Sequence, residues 1–312
     1  MIQNTTHTNN KKTISYKTKQ RIFYYCLIII PIVQFLIFYI GVNFNSIILA
    51  FKSYDVYTGE NTFNGFGNFS QLFKDFSEKI IFRYAFKNSF IRYFSTLVVG
   101  VFGALLFSYY IFKKYLCSGL FQIILFLPSI ISSLAFVLMY KYMAESAIPY
   151  VWQELFDIKI EGLLSNVNTK FGTILFYNLW TCFGVNVIMY SSSMANISSS
   201  IIEAAQMDGV NAWQEFYRIV LPRVYSTVVV FVVSGISALF VHQMSLMDFE
   251  GAYAEDSLNT VGYYLYAIMT RSSTSVGLYP YLAAFGLFLT LITAPLSIGL
   301  KYLLEKVGPK DE

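Results

Sequence analysis

Apolar residues in this chain come in long unbroken runs, and polar residues are gathered between them. Six runs are long enough to cross a membrane, because a helix rising about 1.5 Å per residue needs roughly 20 residues to span about 30 Å of hydrocarbon. They fall at Ile22 to Ile40, Tyr93 to Phe112, Leu120 to Tyr140, Phe171 to Tyr190, Tyr225 to Leu246 and Tyr281 to Leu300. Runs of this length predict helices, since a membrane barrel would show segments of about ten residues with alternating polarity. The pattern predicts an all-α polytopic membrane protein: one six-helix domain over residues 22–300, a polar tail over 1–21 and a second tail over 301–312. Pro128 and Pro295 predict kinks in the third and sixth spans, where neighbouring helices can satisfy a freed carbonyl.

Charge placement agrees with this map. All 18 Asp and Glu lie outside the six runs, the nearest being Asp248, as expected if a carboxylate in hydrocarbon is costly. No Arg or Lys falls inside a run either. The basic cluster Lys11, Lys12, Lys17, Lys19 and Arg21 precedes the first run, and more than half of the 22 Lys and Arg fall on that side, in the shorter segments. That bias predicts cytoplasmic N- and C-termini in a bacterial cell membrane. The net charge of +4 is read as solvated loop faces. The first run is too long for a signal peptide, the stretch Gln3 to Lys12 reads as a disordered tail, and Cys26, Cys117 and Cys182 offer no disulfide framework. The loop Gly41 to Arg92 contains a turn-forming stretch, Phe63 to Phe69, and an amphipathic run through Leu72, Phe73 and Phe76 that predicts a helix on the outer surface.

The cytoplasmic loop 198–223 carries the most information. Ser200 with Glu203 reads as a capping box, Gly209 as a left-handed stop, and Asn211 with Gln214 as a second N-terminal cap. Two short helices follow from these signals, the second presenting Trp213, Phe216, Tyr217 and Val220 on one apolar face. Two capped helices with a greasy face describe a docking knob for a partner.

The same segment resembles the signature loop of permeases in binding-protein-dependent ABC importers. Its seven fixed positions are Glu203, Ala204, Ala205, Gly209, Ile219, Leu221 and Pro222, with Asp208 inside the motif. The carbohydrate branch of that family is further suggested by Gly65-Phe66-Gly67-Asn68-Phe69, Asn88-Ser89 and Leu127-Pro128, while Ser146-Ala147-Ile148-Pro149 departs from its usual pattern. The resemblance implies a type I importer permease fold and a role in ATPase coupling for Glu203, Ala204, Ala205, Asp208, Gly209, Trp213, Phe216, Ile219, Leu221 and Pro222. It also implies a second permease subunit, two ATPase subunits that bind the ATP and Mg, an extracellular solute-binding protein and a sugar substrate. No phosphate-binding G-x-x-x-x-G-K-[ST] loop occurs in this chain, so it carries no cofactor of its own.

Polar side chains within the runs are candidates for a substrate pathway: Asn178, Thr181, Ser132, Ser133, His242 and Gln243, with Tyr177 and Trp180 as aromatic faces and Asn178 and His242 able to meet in one cavity. Interhelical hydrogen bonding is the competing reading for each of them. Two histidines and scattered cysteines make no metal site; no nucleophile and base stand together, and no basic-aromatic patch suggests nucleic acid. An ion-coupled transporter would place a carboxylate inside a span, where this chain has none. A permease for another solute, such as a glycerol phosphodiester, a polyol or a peptide, stays open at this stage.

Overall fold

The computed structural model describes residues 15–55, 57–271 and 276–309. The predicted disordered stretch Gln3 to Lys12 lies outside them. Helix α1 runs Tyr16–Ala50, followed by a hairpin of β1, Lys52–Tyr54, and β2, Asn61–Phe63, with Ser53 opposite Thr62. Helix α2, Gly67–Glu78, leads into α3, Ile80–Phe112. The third span is α4, Ser118–Ile130, and α5, Ser133–Phe156; the fourth is α6, Val167–Ala195. Then come α7, Ser199–Met207, α8, Ala212–Ser237, α9, Leu246–Glu250, α10, Val261–Arg271, and α11, Val276–Val307.

All six predicted spans exist as helices, and their differences from the prediction have local causes. Helix α1 begins at Tyr16, inside the predicted tail, and α11 continues through Pro295 to Val307. The third span is not merely kinked: α4 and α5 meet at 110°. Pro128, which lacks an amide donor and crowds the carbonyl four residues back, sits in the last turn of α4; the helix ends at Ile130 and Ile131 turns extended. The fifth span stops at Ser237, nine residues before the predicted end, and the chain then runs irregularly to α9. The second span starts at Ile80, thirteen residues earlier than expected, because Lys87, Asn88, Ser89 and Arg92 lower the apolarity of its first half without interrupting the helix.

Three buried clusters hold the bundle. Tyr109, Tyr190, Met194 and Val220 join α3, α6 and α8 at one end, while Val137, Tyr177, Leu246 and Tyr263 join α5, α6, α9 and α10 toward the other. The third cluster packs Leu72 of α2 with Phe82 of α3 and Phe285 of α11. The predicted surface helix therefore exists, with Leu72 fully buried and Phe73 edge-on to Phe288 at 5.5 Å. Asn68 pins the end of α1 by donating to the Ala50 and Lys52 carbonyls at 2.8 and 2.7 Å. By contrast, the most apolar stretch of α1 buries no residue; only its last turns, 42–50, pack on α11.

Helices α4 and α6 approach so closely at Gly184 that a Cβ there would overlap the Leu125 carbonyl oxygen. Small residues permit such contacts between membrane helices. Gly184→Ala is expected to cost about 1–3 kcal/mol by forcing the two backbones apart, read as a lower thermal midpoint of the detergent-purified protein, whereas Gly286→Ala, which meets open space, should leave it unchanged.

Candidate functional site

Residues 196–222 close one end of the bundle. Helix α7 starts at Ser199 with Ser198 as its N-cap, so Ser200 lies inside the first turn and no capping box forms with Glu203; the Ser200 hydroxyl instead pairs with that of Ser198 at 2.8 Å. The stop at Gly209 is as read. Val210 N–H donates to the Ala205 carbonyl and Gly209 N–H to that of Gln206, both at 3.1 Å, with Gly209 at φ +74°. This is a Schellman closure that a glycine makes without strain. A Cβ at Gly209 would meet nothing in this chain, so the residue is required here for its backbone angle. Asn211 and Gln214 form the expected reciprocal cap, at 2.9 and 3.1 Å.

The second predicted short helix is not separate. It is the start of α8, which passes through a π turn at Phe216–Val220 ahead of Pro222 and continues to Ser237. Such a turn absorbs the amide that Pro222 lacks. The expected apolar face is split as well. Phe216 and Val220 are buried, with Phe216 packed on Tyr109 at 5.2 Å between ring centres, whereas Trp213 and Tyr217 are 71% and 70% exposed. The stripe straddles the edge of the bundle, so only its outer half is available to a partner. Of the ten residues assigned to coupling, Phe216, Ile219 and Leu221 pack on the intrachain core, Ala205 is buried and Pro222 is half-buried. Glu203, Ala204, Asp208, Gly209 and Trp213 are exposed and are joined by Met207, 89% exposed, and Tyr217, which complete the outward surface.

Beneath this surface sits a buried ion pair that no sequence pattern singled out. Glu215 is 2% exposed and accepts from Lys113 Nζ at 2.9 and 3.0 Å. Tyr109 Oη is 3.0 Å from the same carboxylate and 3.1 Å from the Ala212 carbonyl. These contacts tie the start of α8 to the end of α3 and the residue that follows it. The available signal was a lone acid next to buried Phe216, but its partner lies 102 residues away in sequence.

Toward the other end, a cavity of about 590 Å³ opens where the fifth span stops. Its polar lining is Ser133, His242, Gln243, Ser245, Asp248 and Tyr266. The broken third span delivers Ser133, and a turn with positive φ at Met244 and Ser245 delivers the others. Three of the six predicted pathway residues thus converge. The other three do not line this cavity. Asn178 is buried and accepts from Arg92 Nε at 3.3 Å, Thr181 donates to the Asn178 carbonyl at 3.0 Å, and Ser132 caps α5 through its own carbonyl. Asn178 and His242 therefore do not share the cavity. Arg92 corrects the expectation that no basic residue lies within a span: it is buried midway along α3. Tyr177 is buried among Phe136, Tyr140 and Phe249, so Tyr266 supplies the accessible aromatic face.

Comparison with known proteins settles the family. Residues 96–310 match the family described as "Binding-protein-dependent transport system inner membrane component". The chain belongs to that family. The probable ABC transporter permease protein YurN of Bacillus subtilis is 26% identical over 220 residues, covering 69% of this chain and 74% of YurN. The arabinooligosaccharides transport system permease protein AraP of Halalkalibacterium halodurans is 26% identical over 304 residues, covering 95% and 92%. A chain of a bacterial ABC transporter that imports the acidic polysaccharide alginate superposes with a TM-score of 0.73 at 20% identity, covering 93% of this chain and 98% of that one. This likeness establishes the type I importer permease fold, and the importer family's match includes the whole signature segment.

In this permease the Glu215 pair makes a specific prediction. Glu215→Ala leaves the Lys113 ammonium and Tyr109 hydroxyl facing a buried gap and is expected to lower stability by about 3 kcal/mol. Glu215→Gln, which keeps the shape and the acceptor, should lose less; thermal melting of the two purified variants measures the difference.

Proposed function

We propose that this chain is one of two permease subunits of an ATP-driven importer, forming the pathway for a sugar or oligosaccharide delivered by an extracellular binding protein. The observation that carries the reading is the outward surface of Glu203, Met207, Gly209, Trp213 and Tyr217, a capped two-helix knob anchored from beneath by Glu215. In this proposal it docks on an ATPase subunit in the cytoplasm, with both termini on the same side. The ATP and Mg belong to that ATPase. A second permease is supported by the apolar flank of α1, which nothing among the described residues covers.

Sugar as the substrate is supported by the names of relatives, including the lactose permease LacF of Rhizobium radiobacter and AraP, and by the cavity. Its hydroxyls, amide, imidazole and tyrosine ring are the group types that bind polyols. Irregular backbone inside a membrane is tolerated where it lines a cavity, and the segment 238–245 fits that rule. For coupling, the ATPase must favour one state of the pathway over the other, because a contact equal in both shifts nothing.

Reconstituted vesicles holding both permeases and the ATPases should take up oligosaccharide only with ATP and the binding protein present. Glu203→Ala should lower uptake and binding-protein-stimulated ATP hydrolysis together, by about tenfold or more if a charge-assisted bond to the ATPase is lost, without changing the amount of assembled protein in the membrane. Gly209→Val forces a β-branched residue into a left-handed angle at about 1–2 kcal/mol and should give the same joint loss. Uptake that persists without any ATPase subunit would overturn the importer reading.

A further inference from the structure

The cavity has a feature that bears on what it admits: its lining holds one carboxylate, Asp248, and no Lys or Arg. The cations on neighbouring elements donate to oxygens outside that lining. Arg92 donates to Asn178, Lys141 to the Phe249 carbonyl, and Arg271 to the Ala252 carbonyl, while Lys170 bridges Glu250 and Glu255 at 3.1 and 3.2 Å. Among the described residues Asp248 makes no ion pair and its carboxylate receives no hydrogen bond.

His242 adds no positive charge. Its Nδ1 accepts from the Met244 backbone N–H at 3.0 Å, so that nitrogen cannot carry a proton while the turn is intact, and the hydrogen-bond network assigns the single proton to Nε2. The ring is thus a neutral donor with a fixed tautomer. The same turn is held from its other side by Thr260, whose hydroxyl donates to the His242 carbonyl at 3.0 Å. The lining then offers a charged acceptor at Asp248, a donor at His242, and groups of both kinds at Gln243, Ser133 and Ser245 around the Tyr266 ring. A sugar hydroxyl both donates and accepts and suits every one of these groups. A uronate or sugar phosphate finds no cation there and meets the Asp248 carboxylate at close range, where like charges repel.

We infer that Asp248 makes this chain's part of the pathway selective for uncharged oligosaccharides, binding neutral hydroxyls and disfavouring anionic sugars. This rests on the cavity lying on the sugar pathway. It also separates this permease from its alginate-importing structural relative, whose cargo is acidic by its description.

The test uses the full complex of permeases and ATPases in lipid nanodiscs, without the binding protein, so that only the membrane site selects. Maltotriose, arabinotriose and trigalacturonate are titrated and followed by saturation-transfer NMR. Wild type is expected to bind one of the neutral trisaccharides at least about tenfold more tightly than trigalacturonate. Asp248→Asn should weaken the neutral sugar about tenfold, the loss of one charge-assisted hydrogen bond, and narrow the gap to trigalacturonate. Asp248→Glu, which keeps the charge, should preserve the preference. Equal or tighter binding of trigalacturonate to wild type, or a preference unchanged in Asp248→Asn, would overturn the inference while leaving the cavity as a sugar site. If no trisaccharide binds and Gln243→Ala leaves oligosaccharide uptake by the complete system untouched, the cavity is off the pathway and both readings fall.

Discussion

Inside a membrane every backbone amide and carbonyl must find its partner within the protein, and this constraint organises the whole bundle. Helices satisfy it locally, so the informative places are those where the chain leaves a helix. One such place follows Ser237, and side chains supply what the ladder no longer does. Asn88 Nδ2 donates to the Ser257 and Asn259 carbonyls at 2.8 and 2.9 Å, and Ser89 Oγ accepts from Val261 N–H at 3.0 Å. Tyr263 Oη accepts from Ala254 N–H and donates to the Gly251 carbonyl, at 2.9 and 2.7 Å. The Asn88 and Ser89 contacts hold residues 257–261 against α3, just ahead of α10, the helix that carries Tyr266 to the cavity. The polar half of α3 thus serves as the peg that lets the fifth span stop early.

The two ends of the bundle solve different problems with similar means. At the cavity end, neutral side chains satisfy an irregular backbone, and Arg92, Lys141 and Arg271 donate to amide and backbone oxygens. At the signature end a charge pair, Glu215 with Lys113, fastens α8 to the residue that follows α3. A buried pair of this kind adds little net stability over an apolar contact, but it resists separation, since either charge alone would be left desolvated. It joins the exposed signature surface to the same helix that holds residues 257–261. Helix α3 therefore runs from the signature segment at one end to the segment ahead of α10 at the other.

Much of this was legible in the sequence because it depends on short-range pattern. Six spans follow from run length, the Gly209 stop and Asn211 cap from residues within a turn of their partners, and the family from Glu203 to Pro222. What was not legible clusters where neighbours distant in sequence decide. Phe216 reads as part of a docking face but packs on Tyr109; Asn178 reads as a pathway residue but holds Arg92; Tyr177 reads as a sugar platform but fills a core. An apolar or polar side chain at a helical position has a face but no address until the adjacent helix is placed.

Periodicity, run length and motif thus determined that this chain is an all-α membrane permease and where its signature segment lies, because hydrocarbon length and helix geometry act on consecutive residues. The tertiary structure alone decided where the fifth span ends, which half of the signature stripe faces outward, and that Asp248 enters a cavity with Ser133 and His242. Those outcomes depend on contacts such as Thr260 with His242 and Asn88 with Ser257, between residues 18 and 169 positions apart, which no local pattern encodes.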